Sequence, residues 1–178
     1  METTMKILSA LGSSALFTTL LLCACGSENS QGVATPPPVD ANTAITLDRS
    51  ACFGNCPSYT LSIGGDGTVA YVGRQYVNVA GTASSQIPVS SVQELADEMY
   101  RANYFGLTVP ETCPQGIASD FPTVITSLTI EGNTHMVVHD HGNQCAPAAL
   151  TTLEDRIDAV AGRAQWVACN SQGGSCPL

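Results

Sequence analysis

All three histidines of the chain, His135, His139 and His141, fall within one seven-residue stretch. In an extended segment they share one parity, so their side chains point to the same face. A His-x-His pair on a strand offers two neighbouring imidazoles to a zinc ion. Imidazole also titrates near pH 6.5, so the same stretch suits proton sensing. His135 lies about 13 Å from His139 at strand rise, too far to share an ion. The metal candidates are therefore His139 and His141, with Asp120 on the incoming loop as a third ligand. The rival reading is three polar side chains on the solvent face of a sheet.

Two other constellations have the residue types for chemistry. Cys52-x-x-x-Cys56 sets two sulfurs close in sequence, as in a redox pair, but thioredoxin-type pairs have two intervening residues at a helix start. Three intervening residues with glycine, followed by Pro57, read as a structural clasp. The adjacent acids Asp97-Glu98 and Glu154-Asp155 read as solvated helix surface. The sequence has no Gly-x-Ser-x-Gly elbow, phosphate loop or His-Glu-x-x-His, and it implies no cofactor.

The first residues have a different use. A mostly apolar run from Ile7 to Leu22 follows Lys6. It is shorter than the roughly 20 residues of a spanning helix and is softened by serines and threonines, as a signal-peptide core is. It ends in Leu22-Cys23-Ala24-Cys25, which resembles the lipobox of bacterial lipoproteins. The resemblance implies cleavage before Cys25, lipid on that cysteine and a membrane anchor in the cell envelope. Gly26 rather than an aspartate follows it, which favours the outer membrane over the inner. Residues 1–24 are then a signal peptide. Residues 25–42, polar and carrying Pro36-Pro37-Pro38, form a tether with a stiff spacer. Residues 43–168 are long enough for one domain with a core, and 169–178 form a cysteine-containing tail.

Beyond Cys25 the chain has no lysine, and its five arginines face 14 acids (15 in the whole chain less Glu2). Loss of Glu2 and Lys6 together leaves the net charge at −9. Such a surface repels phosphate backbones, which excludes nucleic acid as a partner. Setting aside Cys23 and Cys25 leaves Cys52, Cys56, Cys113, Cys145, Cys169 and Cys176. An even count in an exported chain reads as disulfides. Spacing favours Cys52–Cys56 and Cys169–Cys176, and a hairpin argument favours Cys113–Cys145, although six cysteines permit 15 pairings.

The elements that must position these residues follow from periodicity. Ile45–Asp48 and Tyr59–Ile63 alternate as strands, Gly64-Gly65-Asp66-Gly67 turns the chain, and Val69–Val72 and Tyr76–Val79 continue the sheet. Ser90 or Ser91 caps a helix with Val92, Leu95, Ala96, Met99 and Ala102 on one stripe. Thr123–Glu131 and a return strand to His141 form a second hairpin. A three-residue turn would pair Glu131 with His135 and gather Val124, Leu128, Ile130, Met136 and Val138 on the core face. A two-residue turn would instead set Ile130 beside His135; the three-residue turn is preferred. It places Cys145 near the loop that holds Cys113. A helix over about 148–161 and Trp166 close the domain. The order β-β-β-β-α-β-β-α with short connections predicts an α+β fold, a mainly antiparallel sheet with two helices on one face.

The stretch Cys52-Phe53-Gly54-Asn55-Cys56-Pro57-Ser58-Tyr59, with Asp66-Gly67-Thr68-Val69 and Tyr71-x-Gly73, resembles an uncharacterised family of bacterial envelope domains. Asp120-Phe121-Pro122-Thr123 and the closing helix with Gly162 and Trp166 fit the same family, so the resemblance spans about Ala44 to Trp166. It implies a compact exported domain and carries no chemistry with it. The leading expectation is a non-catalytic binding or structural domain with an envelope protein as its possible partner. Its contact surface would be the open sheet face with Ser127, Thr129, His139 and His141. The alternatives are a metal-dependent hydrolase using His139, His141 and Asp120, and an inhibitor of an envelope hydrolase that presents Phe53-Gly54-Asn55.

Overall fold

The computed structural model describes residues 35–167. Six strands form one antiparallel sheet: β1 (Ala44–Arg49), β2 (Ser58–Gly64), β3 (Thr68–Gln75), β4 (Gly81–Gln86), β5 (Thr123–Ile130) and β6 (Asn133–Asp140). Their order across the sheet is β4-β3-β2-β1-β5-β6. Helices α1 (Val89–Arg101) and α2 (Ala148–Val160) complete the expected α+β order. Short 3-10 turns at Tyr104–Gly106 and Arg163–Gln165 follow them.

Alternation decides which face is the core. Ile45 and Leu47, Tyr59, Leu61 and Ile63, Val69 and Tyr71, and Val124 and Leu128 are all buried with Leu95, Met99, Leu150 and Ile157 of the helices. Trp166 seals one end: its ring stacks on Tyr71 at 4.7 Å, and its carbonyl accepts hydrogen bonds from the amides of Asn78 and Val79. Among the described residues, no helix lies over the opposite sheet face. That face carries rows of Thr46, Ser127, Thr60 and Ser62, and the exposed side chains of Val72, Met136 and Val138.

Three local expectations are corrected. The fourth strand is Gly81–Gln86 rather than Tyr76–Val79. An edge strand with one wet face needs no apolar alternation, and Val79 is held instead by Trp166. Helix α1 begins at Val89 with Pro88 as N-cap and no side-chain cap bond, so neither serine box forms. The second hairpin turns on two residues, Glu131 and Gly132, both with positive φ (51° and 75°). That is the turn whose twist matches paired strands. It sets Leu128 opposite His135 and Val124 opposite His139, a register that neither expected turn produced. Met136 and Val138 therefore point to the open face, and the histidines to the helix-covered one.

Cys52–Cys56 and Cys113–Cys145 are disulfide-bonded, with Cα separations of 5.5 and 5.6 Å. Cys169 and Cys176, like the expected signal peptide and Cys25, lie outside the described residues. Pro37 to Val39, read as part of the tether, are fixed to α1: Gln93 accepts from the Val39 amide and donates to the Pro37 carbonyl.

Candidate functional site, a buried histidine, carboxylate and arginine cluster

One row across the core face runs Tyr59, Arg49, Val124, His139 on β2, β1, β5 and β6. Arg49 occupies the third inward position of β1 after Ile45 and Leu47. Helix α2 lies over this row and lowers two carboxylates onto it. Glu154 and Asp158 sit one turn apart among Leu150, Leu153 and Ile157, and they are 1% and 4% exposed.

Glu154 is the hub. One carboxylate oxygen is 2.6 Å from His139 Nδ1, the other 2.7 Å from His141 Nε2. An ionised carboxylate only accepts, so both imidazoles donate to it. The two rings stack at 4.3 Å. Burial pushes the Glu154 carboxyl up, but the hydrogen bonds and charge of His139 and His141 outweigh it and leave the carboxyl below its ordinary value.

Arg49 joins the two acids. Its guanidinium is 3.0 Å from Asp158 and 4.0 Å from Glu154, and its Nε donates to Tyr59 Oη at 3.2 Å. The Tyr59 hydroxyl donates in turn to Asp158 at 2.7 Å, and Arg163 approaches Asp158 at 3.7 Å. Burial raises the Asp158 carboxyl, and Arg49, Arg163 and Tyr59 only partly pull it back. Burial and the neighbouring Asp158 also raise the Tyr59 hydroxyl, which stays a donor. Two guanidinium groups thus meet two carboxylates, and every member has a partner. Among the described residues Ser85 Oγ is the one buried side-chain oxygen or nitrogen without one.

The loop that carries His141 is held on both sides. The His141 amide donates to the Pro122 carbonyl, the Ala118 amide to Gly142, and the Asn143 side chain to Pro110. Gly142 is required there, because a Cβ would stand 1.9 Å from the Ala118 carbonyl oxygen. The Cys113–Cys145 bridge closes the same loop four residues beyond His141.

The structure brings His139 and His141 together as the spacing implied, but on the covered face. The third donor is Glu154, read from the sequence as solvated surface, and not Asp120. Asp120 is exposed on the incoming loop, where its carboxylate meets Ser119 and its carbonyl accepts from the Phe53 amide. His135 serves elsewhere, 2.9 Å from the Leu107 carbonyl and edge-on to Tyr104. Tyr104 Oη meets Thr126 Oγ1 at 2.8 Å, and burial pushes its hydroxyl up to about 12. A signal for Glu154 was present: positions 150, 153, 154, 157 and 158 make a broad helical stripe, and a stripe wider than two positions per turn includes it.

A family model described as a domain of unknown function (DUF6438) matches residues 43–161. The chain belongs to this family. No curated protein matches it. The DUF6438 match takes in all six strands and both helices, and with them Arg49, Tyr59, His139, His141, Glu154 and Asp158. Arg163, Trp166, Cys169 and Cys176 lie beyond it.

Proposed function

We propose that the chain is an exported lipoprotein, anchored through lipid on Cys25 in the outer membrane, whose domain works by binding an envelope protein and not by catalysis. The observation that carries this reading is a rigid aromatic tip. Phe53 is 89% exposed on the loop closed by Cys52–Cys56, and Phe121 beside it is 55% exposed. The Phe53 amide bonds the Asp120 carbonyl, and Ser50 bonds Thr123, so the two loops hold one another. This tip lies past Arg49, at the opposite end of β1 from Ala44, where the chain enters the sheet. A domain tethered from its amino-terminal side would present it outward. Exposed aromatics on a braced loop are the residues that fill a partner's pocket at little entropic cost.

The same tip suits the narrower reading of an inhibitor seated in a hydrolase cleft. A hydrolase role for this chain is less well supported, since the Glu154 carboxylate lies beneath α2 where an ion can reach and a polymer or peptide cannot. Site-specific photo-crosslinking in the producing cells tests the proposal. A reactive residue at Phe53 or Phe121 should give one discrete protein adduct, and one at Thr82 on the far edge strand should give none. Absence of an adduct at both tip positions, or the same adducts from Thr82, would refute it.

A further inference from the structure

We infer that His139 Nδ1, His141 Nε2 and a Glu154 carboxylate oxygen form a binding site for one divalent transition-metal ion of the zinc class, independent of the aromatic tip. These three donors lie within 4.8 Å of one another and are the donor types zinc takes in proteins. They come from two elements that the fold clamps together, the end of β6 and the middle of α2.

The distances are those of a site that needs little change to close on an ion. Zinc bonds of about 2.0–2.1 Å place tetrahedral donors about 3.3 Å apart. One Glu154 oxygen is 2.6 Å from His139 Nδ1 and the other 2.7 Å from His141 Nε2, so the gap at the binding oxygen must open by roughly 0.6 Å and the second imidazole must turn toward that oxygen. Each coordinating nitrogen must be bare, so a ring protonated on both nitrogens releases one proton to solvent and a neutral ring moves its proton to the other nitrogen; both histidines then bind as neutral imidazoles. Arg49 does not compete for the site: its shorter ion pair is with Asp158 at 3.0 Å, against 4.0 Å to Glu154.

Access and preorganisation point the same way. The His141 side chain is 19% exposed, whereas His139 and Glu154 are buried, so one side of the site opens to water for an ion and a fourth, solvent ligand. The bonded Cys113–Cys145 pair and the backbone bonds of His141 to Asn143 hold that side in place. Nitrogen and oxygen donors without thiolate suit zinc, copper(II) or nickel(II) over softer ions.

The test uses the full chain made in an oxidising compartment, stripped with chelator and titrated with zinc chloride. Native mass spectrometry gives stoichiometry and calorimetry gives affinity. One zinc per chain is expected. His141→Ala and Glu154→Gln should each weaken binding by more than the roughly 10–100-fold that loss of an outer-shell partner costs. Asp120→Ala should bind as the unaltered chain does. Should Glu154→Gln fail to fold, His141→Ala at its part-exposed position still decides. A folded chain that stays metal-free in excess zinc, or a His141→Ala chain with unaltered affinity, overturns the assignment. Neither result bears on the crosslinks expected at Phe53.

Discussion

Replacing Arg49 by methionine keeps most of the side-chain volume and removes the charge that joins the two buried acids. Arg49 is 6% exposed, and its loss leaves Asp158, at 4% exposure, with the Tyr59 hydroxyl and an Arg163 contact of 3.7 Å. Breaking a buried ion pair from one side costs about 3–5 kcal/mol, and the remaining arginine places this case near 3. With a urea slope of about 2 kcal/mol/M for a domain of this size, the midpoint should fall by roughly 1.5 M. Adding Asp158→Asn removes the stranded charge and keeps an acceptor for Tyr59, so the double variant should regain about 2 kcal/mol of the summed losses. The loss should also depend on pH. Burial already raises the Asp158 carboxyl, and without Arg49 it rises further. The folded state then holds that proton more tightly than the unfolded chain does. Stability is fully present below the unfolded value near 3.9 and is lost as pH rises through the folded one. The penalty of Arg49→Met should therefore shrink on acidification from neutral pH. A penalty under about 1 kcal/mol that does not change with pH, as for an exposed pair such as Arg101–Asp97, would refute the reasoning.

Three further outcomes follow from the same structure. Replacing Cys113 and Cys145 by serine opens a loop of 32 residues and should cost about 3.7 kcal/mol by chain entropy, against about 2 for the Cys52–Cys56 pair, read from urea midpoints. Glu131→Asn puts a residue that tolerates the left-handed region at φ 51°, and should stabilise by roughly 0.5–1 kcal/mol in a thermal melt. Gly142→Ala forces a methyl against the Ala118 carbonyl and should destabilise by about 1–3 kcal/mol, with amide exchange quickening first around His141.

Much of the fold was legible because its signals are local. Alternation in Ile45-x-Leu47 and Tyr59-x-Leu61-x-Ile63 and the α1 stripe each specify one buried face, and the element order follows from them. The hairpin register was not legible, because it rests on a partner 15 residues downstream. Taken alone, β6 buries more apolar area with Met136 and Val138 inward. Glu154 reverses that preference by giving two imidazoles a carboxylate beneath α2. The Glu154-Asp155 dipeptide reads as surface because adjacent acids usually are, yet only Asp155 lies toward water. Arg49 shares the parity of Ile45 and Leu47, but the expected strand stopped at Asp48, and nothing local announces that two acids of α2 will meet it. The Cys113–Cys145 bond was expected from a register that is not the one formed. It arises instead from the bonds of Ala118 with Gly142, which bring the two loops side by side.

The most direct test of the account as a whole is an intact mass spectrum of the full chain recovered from the membranes of the producing cell. The expected polypeptide begins at Cys25, carries acyl chains on that residue, and is six hydrogens lighter than its fully reduced form. A chain that keeps residues before Cys25, carries no lipid, or retains free thiols at the paired cysteines would contradict it.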